Sequence, residues 1–261
     1  MQIGFGVIMF ILGSAIGSFL CCQARRIDLK QKKKQSLGSR SVCMSCKKQL
    51  KWYENIPIIS WVAQGGKCRN CKSKIGIGEL LSELCLAAAF VCISTTINIE
   101  TASALEWTRF ALVLLLTIVL GFLAIYDGLS GELPNKALWL ALLFSIAVAV
   151  VSHWGVFSWN VLLDIVLAVA ILGGLYYLLY IVSKGEWVGD GDWILGTIIA
   201  IALGKPWLAL VALFLSNFIA CVVMLPFVKG KKKKQIYFGP FLVIAFIITI
   251  TFSVLIESMI I

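Results

Sequence analysis

The sequence is poor in charge and almost without histidine, and both shortages narrow what it can be. Only 14% of its 261 residues are Asp, Glu, Lys or Arg, against 60% hydrophobic, and the mean hydropathy is +0.96. That balance excludes a soluble globular domain and fits a chain that crosses a membrane several times. His153 is the single histidine and lies at the outer end of an apolar run, where an interfacial place suits it. No competing nucleophile constellation can be assembled around it. Acids are fewer than bases, 13 against 23. A net charge of +10 would point a soluble protein towards nucleic acid, but 14 of the 23 Lys and Arg fall between residues 22 and 78, beside only Asp28 and Glu54 as acids. Such a concentration marks a cytoplasmic loop under the positive-inside rule, and no nucleic-acid partner is expected. The first apolar run has no basic stretch ahead of it and no small-residue cleavage site followed by a soluble domain, so it reads as a retained first span. No internal repeat is visible, and low complexity is confined to the lysine runs at 32–34 and 231–234.

What is present is a series of apolar runs, near residues 3–21, 80–98, 107–126, 137–153, 160–183, 207–227 and 238–260. A further run, 193–204, is short: twelve residues rise only about 18 Å as a helix, so it must start inside the 187–192 stretch, tilt into a thinned site, or stop short of crossing. If it crosses, the spans number eight. Eight places the loops at 22–78, 126–136, 183–192 and 228–237 on one side, the last carrying Lys229 to Lys234, and leaves Lys205 as the only base in the outer loops. The expected fold is therefore an all-α polytopic membrane protein of about eight transmembrane helices. Its parts are a first helix over 1–21, a basic cytoplasmic loop over 22–79 and a seven-helix membrane domain over 80–261.

Two inner loops depart from the basic trend. They hold Asp127, Glu132, Glu186, Asp190 and Asp192 against Lys136 and Lys184. A carboxylate at the end of a membrane helix is costly and calls for a reason. Asp127 closes the third run and Asp192 opens the sixth, both on the cytoplasmic side, so the two can form a paired-carboxylate site. Such a pair shares a proton, one member taking it from water while the other polarises a scissile carbonyl. Gly189 and Gly191 beside Asp192 leave room for a substrate backbone and loosen the helix start. Pro134 helps to end regular structure near Asp127. The surrounding acids, Glu186 and Asp190 among them, make a patch suited to a basic segment of a partner.

The basic loop contains Cys43-Met-Ser-Cys46 and Cys68-Arg-Asn-Cys71. Two Cys-x-x-Cys pairs supply four thiolates for a tetrahedral zinc site with no open position, which shapes the loop and does not catalyse. Cys21, Cys22, Cys85, Cys92 and Cys221 lie in or beside spans and read as small apolar fillers.

At these motifs the chain resembles the type IV prepilin peptidases. Gly13-x-x-x-Gly17-Ser-Phe-Leu20, with Arg26 following, is similar to that family's first span; the cysteine pairs, with Glu54-Asn-Ile-Pro57 and Gly65-Gly-Lys67 between them, are similar to its cytoplasmic zinc loop. Asp127 followed by Leu133-Pro-Asn135 resembles its first catalytic motif, and Gly189 to Asp192 resembles the Gly-x-Gly-Asp motif of this class of intramembrane aspartic protease. Cys21 stands where the family usually has Asn, Asp190 where it has a small residue, and Ile194 where it commonly has Lys. The resemblance implies a bacterial cytoplasmic-membrane enzyme whose Asp127 and Asp192 cut type IV prepilins or pseudopilins. The cut falls after a Gly, between a basic leader and an apolar helix, at the cytoplasmic face. It also implies N-methylation of the new terminus from S-adenosylmethionine, although no nucleotide-binding glycine motif appears. A different reading of the same acids is a small proton-coupled transporter using Asp127, Asp164 and Asp192 inside the membrane. A third is a non-catalytic zinc-loop scaffold.

Overall fold

A computed structural model describes residues 1–31, 41–156, 158–186, 188–224 and 237–260. The lysine runs at 32–34 and 231–234 lie outside the described residues. The described residues are helical apart from loops and two isolated antiparallel bridges, with no sheet. Among the described residues, six helices are long and apolar enough to cross a membrane. The chain divides into two compact units, Met1–Ser94 and Thr95–Ile261.

In the first unit α1 (Gln2–Gln31) packs along α3 (Ile77–Ser94). Gly13, Gly17, Cys21 and Ala24 recur at helical spacing and leave α1 without bulk on that side. At Gly13 a Cβ would stand 2.8 Å from Ala87 Cα, and at Gly17 one would stand 2.9 Å from Glu83 Cα, so backbone meets backbone there. Cys21 and Ala24 are buried, as a small apolar filler at Cys21 requires. The loop between the helices is tied down at both ends. Arg25 pairs with Glu79, and Ile58, held at a positive φ of 62° ahead of the short α2 (Ile59–Ala63), donates its N–H to the buried Glu83 carboxylate at 2.7 Å.

In the second unit α4 (Ala104–Ser130) opens on a capping box, in which Ser103 accepts the Glu106 N–H at 3.3 Å and Glu106 accepts the Ser103 N–H at 2.7 Å. α5 (Asn135–Ser152) follows, then α6 (Trp159–Val169). The fifth apolar run is not one uniform helix, because Ala170–Gly174 winds as a π-turn before α7 (Leu175–Ser183) resumes. There α8 (Asp190–Leu203) crosses close by: a Cβ on Gly196 would stand 3.3 Å from Leu172 O, and one on Gly173 would stand 3.1 Å from Thr197 Cα. α9 (Pro206–Met224), α10 (Gly239–Thr251) and α11 (Ser253–Ile260) complete the unit.

The short run is resolved by where its ends lie. At its start Gly191 meets Leu133, just ahead of α5; at its end Gly204 lies under the His153 ring, just past α5. With 14 residues α8 rises about 21 Å and still runs the length of its neighbour. It starts at Asp190, inside the 187–192 stretch. His153 and the Lys205–Glu257 ion pair, 2.7 Å long, thus mark the end of this unit opposite the acids.

Candidate functional site

Asp127 sits in the last turn of α4 and Asp192 in the first turn of α8, and the fold carries both to the same end of the second unit. They are among its few buried charged side chains, 5% and 7% exposed. The charge of Asp192 acts on Asp127 directly. Each carboxylate accepts one backbone N–H from a glycine. Gly189 donates to Asp192 Oδ2 at 3.0 Å, closing the N-terminal turn of α8. Gly239, at the start of α10, donates to Asp127 Oδ2 at 3.0 Å. Two buried acids at one end of the unit, each with one oxygen held, are parts that suit shared-proton acid–base chemistry.

Gly189 has an ordinary backbone (φ −70°, ψ 158°), and a Cβ there would stand 3.2 Å from Asp192 Oδ2. Gly191 lies against Leu133, whose Cδ1 would be 2.5 Å from a Cβ. Pro134 does not end α4. Gly131 does so at φ 72°, returning its N–H to Asp127 O at 2.8 Å, while the Pro134 carbonyl starts α5 by accepting from Ala137 at 2.9 Å. Glu132, Glu186 and Asp190 are exposed. Leu133 against Gly191 sets the first and last of these on adjoining segments at the acidic end. Asp164, in the second turn of α6, lies towards the far end with His153.

Three neighbours escaped the sequence reading. Gly239 is one. Tyr237 is another: its ring covers Gly131, 2.6 Å from where a Cβ would be. Tyr176 is the third, fully buried, joined to Ser216 Oγ at 3.1 Å and to Asn217 Nδ2 at 3.0 Å, with its ring tilted against that of Phe238 at 5.4 Å.

The first unit holds a separate cluster. The ligand atoms of Cys43, Cys46, Cys68 and Cys71 all lie within 4.8 Å of one another. The two knuckles repeat one backbone pattern at a fixed offset, a local duplication that residue identity hides. Lys47 N–H reaches Cys43 O at 2.9 Å and Lys72 N–H reaches Cys68 O at 3.0 Å; both lysines stand at φ 59°. The bridges Val42–Gln49 and Lys67–Lys74 close each knuckle. Cys43 and Cys71 sulfurs are 3.8 Å apart, the spacing of about 3.8 Å that two sulfurs take on a tetrahedral ion with 2.3 Å bonds. Burial works against the Cys43 thiolate, but the Cys46 and Ser45 N–H groups outweigh it and bring the thiol down to about 6. The donor set therefore fits a bound metal ion.

Comparison with known proteins finds relatives that reach across both units. Residues 11–97 match the model of the Bacterial Peptidase A24 N-terminal domain. The chain is 40% identical over 86 residues to the prepilin leader peptidase/N-methyltransferase of Myxococcus xanthus, a match covering 33% of this chain and 25% of that protein. It is 28% identical to the Pseudomonas aeruginosa protein of the same name, over 93% of this chain and 89% of that one. To the one from Aeromonas hydrophila it is 30% identical, over 79% and 69%. No solved structure matches. With relatives of one name aligned across both units, one of them 30% identical and matched over 69% of its length, the chain belongs to the prepilin leader peptidase/N-methyltransferase family.

Proposed function

We propose that the protein is a membrane-embedded aspartic endopeptidase that removes the basic leader of a type IV prepilin or pseudopilin after a Gly and then methylates the new N-terminus. What supports the peptidase reading is that two buried acids, Asp127 and Asp192, lie at the same end of the second unit, each accepting a glycine N–H. One, ionised, takes a proton from the attacking water while the other, protonated, donates its own to the scissile carbonyl; as the gem-diol collapses, the first passes its proton to the leaving amine and the second takes one back from the gem-diol hydroxyl. Methyl transfer rests on kinship and not on a visible cradle: the described residues are helical, with no strand–turn–helix glycine motif for a nucleotide among them. S-Adenosylmethionine supplies the methyl group. The acidic end faces the cytoplasm of a bacterial inner membrane, as the basic loops require. Nothing supports the transporter reading, which needs Asp164 in line with the paired acids.

The exposed Glu186 and Asp190 draw in the basic leader. Incubation of the intact chain with a type IV prepilin and S-adenosylmethionine is expected to give a product beginning after Gly and about 14 Da heavier, read by mass spectrometry. In the same assay Glu186→Gln with Asp190→Asn raises KM several-fold at low salt, and the difference fades as salt screens it. A KM indifferent to both salt and substitution removes the acidic rim from the reading.

The four cysteines hold structural zinc. Purified protein is expected to contain one zinc ion per chain by atomic absorption, and Cys46→Ser with Cys71→Ser to contain none. Loss of the ion makes residues 43–71 susceptible to protease, because only Gly66 and Cys68 are buried there and no apolar core replaces the metal. Full protease resistance of the metal-free variant would show that the metal does not shape the loop.

A further inference from the structure

We propose that Gly239 is a positioning residue for Asp127, and that Tyr237 to Pro240 form a third element of the catalytic end beside the two acid-bearing helices. This rests on the peptidase reading above. Gly239 lies 112 residues from Asp127 in the chain and gives it a buried N–H at 3.0 Å. Its backbone φ lies outside the left-handed region, so glycine is not there for conformational freedom. It is there for space. A Cβ at 239 would stand 2.8 Å from Asp127 Oδ2 and 3.3 Å from Cγ, and alanine could be admitted only by moving the carboxylate or the helix.

The first turn of α10 is arranged so that this donor is available. Pro240 has no N–H to offer, and the N–H groups of Phe241 and Leu242 both turn to Phe238 O, at 3.1 and 3.3 Å. Gly239 is left as the amide directed at the acid. The segment is also held from both sides. Tyr237 covers Gly131, the residue that ends the Asp127 helix. The Phe238 ring packs at a tilt against Tyr176 at 5.4 Å, and Tyr176 follows the π-turn that packs on the Asp192 helix. A shift of α10 at its start therefore moves one oxygen of Asp127 relative to Asp192.

The test measures prepilin cleavage by Gly239→Ala and Tyr237→Ala beside the intact chain, across substrate concentration and pH, with the melting midpoint of each. Gly239→Ala is expected to lose on the order of 10²-fold in kcat, with KM and melting unchanged and the pH–rate profile altered. Tyr237→Ala loses less, in the same sense. Wild-type kcat in Gly239→Ala overturns the proposal, as does a loss that follows a lowered melting midpoint with the pH profile intact. If Gly239→Ala does not accumulate, Tyr237→Ala decides: a lower kcat at unchanged KM supports the assignment and an unchanged kcat sinks it. An intact chain that cuts no prepilin removes the peptidase reading itself, whereas cleavage by the intact chain and by Gly239→Ala alike removes only this inference.

Discussion

Asp127→Asn and Asp192→Asn are each expected to lower prepilin cleavage by at least about 10³-fold, roughly 4 kcal/mol of barrier. The size follows from what the substitution spares. An asparagine has the outline of the aspartate, and its carbonyl oxygen can still accept the N–H of Gly239 or Gly189. Packing and helix starts therefore survive, while the shared proton is lost: an amide cannot take a proton from water or donate one as a carboxylic acid does. Because the two acids work as one unit, the double variant should be little worse than either alone. Asp164→Asn supplies the contrast, since that residue sits away from the acidic end and its loss should leave turnover untouched. Timed cleavage with purified variants decides. Turnover within tenfold of the intact chain in either Asp127→Asn or Asp192→Asn would falsify the paired-acid mechanism.

The largest effect on stability is expected in the first unit. Gly13→Leu and Gly17→Leu each force a side chain into the α3 backbone, with Leu86 O 2.7 Å and Ser82 O 2.6 Å from the new Cβ positions. Backbone cannot step aside as a side chain can, so α1 must lift away along its small-residue seam. The cost is at the upper end of over-packing, about 3 kcal/mol or more for each site. Leucine is a better helix former than glycine, so the loss cannot be blamed on propensity. Gly4→Leu and Gly6→Leu make the same chemical change on the same helix where nothing lies within 4 Å. Thermal unfolding in detergent should show a large fall for the first pair and little for the second; equal behaviour of the two pairs would mean that the seam is not what holds α1 to α3.

The parts of the site that could be read in the sequence are those whose chemistry is conspicuous in a hydrocarbon background. Asp127 and Asp192 stand out as acids at the ends of apolar runs, and the four cysteines announce themselves by spacing alone. The parts that could not be read are those whose work is done by position. Gly239 opens a helix like many glycines, and its partner is 112 residues away. The Ala170–Gly174 turn has the composition of any membrane helix, so nothing marks the change of winding. Gly191 was legible as a glycine that matters but not as the seat of Leu133, because sequence does not show which atoms will fill a space. The knuckles share little beyond Cys-x-x-Cys-Lys, and their likeness lies in hydrogen bonds that residue names do not record.

The π-turn also bears on how the chain tolerates a change in length. Such a turn uses one residue more than an ordinary helical turn over the same height. Deleting a single residue between 170 and 174 would let the fifth span close into uniform α-helix while everything after it keeps its phase, so that Tyr176 stays on Phe238 and Tyr177 stays on Trp193, 5.1 Å away. The same deletion in the uniform helix on either side would swing the following residues by about 100° around the axis. The turn is thus the one place in this span where a residue can be lost without loss of register, and an alignment with a relative that lacks the turn must open its gap there, in mid-span, to keep the tyrosines in step.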